Sequence, residues 1–104
     1  MLKFNKTFSV NIGNKKYKKV KGAPYFCSEL NRNLFIHQDI DNDKQTSVSD
    51  EITGYRLFFF KEKYDKIKEE DIRYKIDEYI KHYSIPLIEH EFNRVEKLLE
   101  LKNE

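Results

Sequence analysis

The sequence predicts an α+β fold: an antiparallel sheet of about four or five strands, made of an N-terminal hairpin plus a meander, covered on one face by two C-terminal helices. Three observations carry this. Phe8, Val10 and Ile12 alternate with Ser9 and Asn11, the period-two pattern of a half-buried strand. Turn-forming clusters then punctuate the chain at Gly13–Asn14, Asp39–Gln45 and Asp50–Gly54. Beyond "KEKYD" the apolar period lengthens to that of a helix.

Taken in order, Gly13 and Asn14 both tolerate the positive φ of a tight hairpin turn, and Lys15–Lys21 forms the return strand. A two-residue loop there sets Val10 opposite Tyr17 and Phe8 opposite Lys19. "KGAP" (Lys21–Pro24) breaks the pattern, and "PYFCSEL" follows as a short strand or connection filled by Tyr25, Phe26, Cys27 and Leu30. Asn33–Gln38 and Thr46–Asp50 are strands joined by a polar turn. Tyr55–Phe60 completes the meander, and its apolar residues on both faces mark it as a central strand, or one whose second face meets a partner. Ile72, Ile76, Tyr79, Ile80 and Tyr83 form one helical stripe, with Glu69, Glu70 and Asp71 in the first turn where negative charge favours the helix dipole. "YSIP" ends that helix, and Pro86 in the first helical position starts another with Ile88, Phe92, Val95 and Leu99 as its stripe.

A chain of 104 residues is read as one domain, residues 1–104, with a β-region over 1–60 and a helical region over 66–102. Charged residues reach 37%, but eight Phe and seven Tyr supply large apolar areas, so a folded domain is expected rather than a disordered one. No apolar run approaches the roughly 18 residues of a membrane span. "MLKFNKTFSV" lacks the apolar core of a secretory signal, and a single Cys27 forms no intrachain disulfide. Both point to a cytoplasmic setting. Charge is unevenly placed: residues 1–36 hold eight Lys or Arg against one acid, and residues 37–104 hold twelve against seventeen.

Three groups of residues are candidate sites. The first is the basic hairpin, with Lys15, Lys16, Tyr17, Lys18, Lys19 and Lys21. Lysines on a ribbon neutralise phosphates and a tyrosine stacks on an unpaired base. Lysines also protect an exposed sheet edge, and the absence of Arg weakens base-specific readout. The second is the last helix, where Leu87, Phe92, Leu98 and Leu101 widen the apolar face beyond what one small sheet requires, as a partner or homodimer surface would. The third is "DIDND". Asp39, Asp41, Asp43, Gln45, Ser47 and Asp50 fall at positions 1, 3, 5, 7, 9 and 12 of a calcium loop. Lys44 stands where that loop needs glycine and the flanks read as strands, so a solvated turn is the preferred reading and calcium at Asp39, Asp41, Asp43 and Asp50 the lesser one.

Catalytic patterns are not expected. "HEFNR" begins like a zinc-protease helix but has Arg94 where the second histidine belongs. With glycine only at 13, 22 and 54 there is no glycine-rich phosphate loop, and no cofactor is called for.

The pattern "LFIH…SVSDEITGYRLF" resembles small proteins encoded by phages and mobile elements: a strand ending in His, a polar turn, a second strand, a "TG" turn into a third strand, then a helix. The resemblance rests on Leu34–His37, Val48, Thr53 and Gly54. It implies a setting in which small non-enzymatic proteins bind host factors, including defence nucleases. The expected function is therefore occupation of a host protein partner, such as inhibition of a nucleic-acid enzyme. The alternative is DNA or RNA binding through the hairpin.

Overall fold

The computed structural model describes residues 2–100. Five strands, β1 (Lys6–Gly13), β2 (Lys16–Cys27), β3 (Arg32–Gln38), β4 (Thr46–Asp50) and β5 (Arg56–Phe60), are followed by a single 3-10 turn, Tyr64–Lys66, and by helices α1 (Glu69–Tyr83) and α2 (Ile85–Leu98). The sheet is an antiparallel meander in the order β1-β2-β3-β4-β5. The expected α+β class and the order of its elements hold. No helix among the described residues is long and apolar enough to cross a membrane.

Strand alternation sorts the core into two parts. Leu34, Ile36, Val48 and Cys27 share one cluster with Ile72 and Ile76 of α1 and Ile88 of α2. On the other side of β3, Phe35 joins Phe8 and Val10, with Val20 and Ile40 packed against them.

Four details depart from the sequence reading. The hairpin register is shifted: Phe8 pairs with Val20 and Val10 with Lys18, because Asn14 and Lys15 take the positive φ values at the turn and an irregularity falls between Asn11 and Gly13. The shift matches apolar Phe8 to apolar Val20. Next, β2 does not stop at "KGAP" but runs through it to Cys27, pairing with β1 up to Gly22 and with β3 beyond. Pro24 is tolerated because β1 has ended there, so its missing N–H faces no neighbouring strand. Third, β5 is an edge strand and β3 the central one. Finally, α2 begins at Ile85, and the break falls on Ser84, whose φ of 66° ends one helix and precedes the next.

The turn between β4 and β5 returns to the first strand. Asn11 N–H donates to Gly54 O at 2.9 Å. A Cβ on Gly54 would lie 2.8 Å from Asn11 N and 2.9 Å from Ser9 O, and its φ is +74°, so only glycine fits both the conformation and the approach.

Candidate partner-binding site

The two edges of the sheet differ. On β1, Asn11 is bonded by Gly54, and Lys6 lies 3.7 Å from Glu51 of the same turn. On β5 nothing among the described residues pairs with the outer side. Asp39 N–H to Gln45 O and Glu51 N–H to Asn33 O mark the odd-numbered residues of β4 as bonded to β3. Alternation then commits Thr46 and Val48 to their β5 partners Phe60 and Phe58. The N–H and C=O of Phe59 therefore point away from β4 into open space.

This edge is aromatic and walled. A groove of about 580 Å³ runs along Arg56–Glu62 and is bounded by Lys75, Tyr79 and Tyr83 of α1. The Phe58 and Tyr79 ring centroids are 5.8 Å apart, and Tyr79 and Tyr83 are 5.0 Å apart. Burial raises the Tyr79 pKa above its ordinary value, with Tyr83 and Glu91 adding to the shift. Lys75 Nζ lies 5.6 Å from the Phe60 ring centroid, and the Arg56 guanidinium lies 4.8 Å from that of Phe59. Arg56 is placed from below by Asp39, 3.8 Å away, which also accepts a hydrogen bond from Ser47.

The four aspartates of the lesser, calcium reading are not brought together. Asp39 serves Ser47 and Arg56, and Asp41 and Asp43 are exposed. Asp50 is fully buried, and its carboxylate accepts from Arg32 Nε at 2.7 Å, Arg32 Nη2 at 2.9 Å, and Thr53 N and Oγ1 at 2.9 and 2.8 Å. Arg32 also reaches Glu96 of α2 at 3.2 Å, and its guanidinium lies 3.9 Å from the Phe92 ring centroid. Burial works against the Arg32 charge, but Asp50 and Glu96 outweigh it and raise its pKa. No group of three or more His, Cys, Asp and Glu among the described residues could hold a metal ion.

The hairpin lysines divide by strand parity. Tyr17, Lys19 and Lys21 lie on one face of β2, Lys16 and Lys18 on the other. Lys15 is 3.4 Å from Glu100, while Lys16, Lys18, Lys19 and Lys21 make no ion pair among the described residues.

On α2, Phe92 belongs to the packing under Arg32, whereas Leu87 and Leu98 are exposed at 56% and 61%. Between them on the same stripe Glu91 and Arg94 form an ion pair, so the two leucines do not make one apolar face. Arg94 holds the Glu91 carboxyl below its ordinary pKa. Leu101 lies outside the described residues.

His37 and Ser49 form a hydrogen-bonded pair, Nε2 to Oγ 2.9 Å, but they are 1% and 0% exposed, so no substrate reaches them. His37 Nδ1 lies 2.8 Å from Gln38 O, a carbonyl that only accepts, which assigns the ring proton to Nδ1. Burial lowers the pKa of His37 and raises that of Cys27.

Tyr79 and Tyr83 are legible in the sequence only as part of a helix stripe, and Lys75 lies outside that stripe; nothing in their spacing ties them to the meander's last strand. The geometry defines a class: a five-stranded α+β meander with one occupied edge and one open aromatic edge. In comparisons with protein-family models, curated proteins and solved structures, nothing matches this chain.

Proposed function

We propose that this chain is a non-enzymatic binding protein that acts by occupying a protein partner, with the β5 edge as its contact. The observation that supports this is an unpaired edge strand, "RLFFF", whose run Phe58–Phe60 carries neither charge nor proline, the irregularity in its pairing and the charges of Arg56 and Lys61 falling to either side. Such an edge is an aggregation hazard unless another chain covers it. The fully buried Asp50 and the Ser49–His37 pair belong to the interior and offer no reaction centre. The single buried thiol suits a cytoplasmic setting, and the resemblance to phage and mobile-element proteins makes a host protein the partner sought.

The test uses the tagged full chain as bait in an extract of its source cells, beside a Phe59→Asp variant and a Lys16→Glu/Lys19→Glu variant. The expected result is a protein captured by wild type and by the lysine variant but lost with Phe59→Asp. Equal capture by all three overturns the role of the edge.

The second reading is DNA or RNA binding by the hairpin, favoured by four lysines without ion pairs among the described residues. It requires a mobility shift with random DNA or RNA at low salt that disappears steeply as salt rises. No shift at low salt removes it.

A further inference from the structure

Resting on the partner-binding reading above, we infer that the partner enters as an extended acidic segment that adds a sixth strand beside β5. Three observations converge. The outward N–H and C=O of Phe59 offer main-chain bonds to an added strand, the interaction that gives strand addition its affinity. The groove between β5 and α1 is lined by Leu57, Phe58, Phe60, Tyr79 and Tyr83, which suits apolar side chains at every second position of that strand. Its charge is positive on balance: Lys61 and Lys75 line it against Glu62, and the adjoining hollow adds Lys81 against Glu78. Lys61, Lys75 and Lys81 make no ion pair among the described residues. The ligand that completes this surface alternates apolar residues with polar ones and carries Asp or Glu, where it meets these lysines.

The hydrogen-bond pattern also supplies the test. Proline at position 59 removes an N–H that points away from β4, so it preserves the ladder of the fold while blocking an added strand. A displayed library of random peptides about ten residues long is selected on the full chain, and the enriched peptides are titrated against wild type, Phe59→Pro, Phe59→Leu and Lys75→Glu/Lys81→Glu. The expected result is enrichment of alternating apolar and acidic peptides. Their affinity falls by at least roughly tenfold with Phe59→Pro and with the charge reversal, but little with Phe59→Leu, which keeps the N–H. The charge reversal lies on α1 and keeps the inference testable if Phe59→Pro does not fold.

Enrichment of Lys- or Arg-rich peptides, or binding indifferent to both Phe59→Pro and the charge reversal, overturns the acidic strand and leaves partner binding standing. A wild-type dimer in sedimentation that becomes monomeric with Phe59→Pro assigns the edge to a second copy of the chain and overturns the inference in that way. A monomer that enriches no peptide overturns it too. If Phe59→Asp in addition captures the same proteins as wild type, the partner-binding role of the edge falls with it.

Discussion

The Phe8 and Phe35 rings lie parallel, 4.4 Å between centroids and 2° between planes, although β2 runs between the strands that carry them. Contact across an intervening strand is possible because Gly22 stands between them. A Cβ there would lie 3.2 Å from Phe8 Cδ2 and 2.7 Å from Ile36 O. Gly22→Ala is expected to destabilise the protein by about 1–3 kcal/mol through displaced rings and backbone. Urea unfolding measures it; an unchanged midpoint would show that the contact is looser than its geometry.

Arg32 binds a carboxylate from β4 and one from α2, which ties the helix to the sheet. Removing the cation in Arg32→Met leaves two buried carboxylates without their guanidinium, a loss of about 3–5 kcal/mol. Amide exchange in α2 should accelerate before that of β3, because the helix loses its polar tie first. Uniform acceleration of both would count against this order.

His37 gives a pH dependence of defined sign. Its folded-state pKa lies below the ordinary 6.5 because burial disfavours the charged ring. The unfolded chain therefore binds the proton more readily, and the contribution is fully present above pH 6.5 and lost as pH falls below it toward the folded value. Each unit of lowering corresponds to about 1.36 kcal/mol. His37→Gln should flatten the stability profile between neutral and mildly acid pH relative to wild type. Parallel profiles would refute the assignment.

Ser84 joins two helices with a φ of 66° and a ψ of 149°, a region costly for any residue with a Cβ. Its N–H donates to Ile80 O and its O accepts from Ile88 N–H, so the conformation is held from both sides. Ser84→Gly is expected to stabilise the protein by about 1 kcal/mol, read as a higher thermal midpoint. A lower midpoint would mean that the unfolded-state entropy of glycine outweighs the relieved strain.

Much of the architecture was legible because it depends on local signals. Alternation at Phe8–Ile12, the turn residues from Asp50 to Gly54 and the helical spacing from Ile72 to Tyr83 each reflect chemistry within a few residues. The continuation of β2 through Gly22 and Pro24 was hidden, since both residues look like breakers until Phe8 and the end of β1 are in place. The position of β5 was hidden for a related reason. Apolar residues on both faces describe a strand covered on both faces, and such cover comes from a helix as readily as from central placement in a sheet. Phe58 meets Tyr79 on one side, and Phe59 lies beneath Arg56 on the other. The loop spacing groups Asp50 with the aspartates of "DIDND", whereas its partner Arg32 lies 18 residues away and Glu96 lies 64 residues from Arg32. No spacing rule spans such distances.

The bond from Asn11 to Gly54 determines how far any association can grow. A sheet with two free margins can recruit copy after copy into a ribbon without end. Here one margin is blocked in its middle by the chain's own turn. Edge-to-edge growth therefore stops after a single addition, so a strand that docks on β5 yields a complex of fixed stoichiometry rather than a fibre.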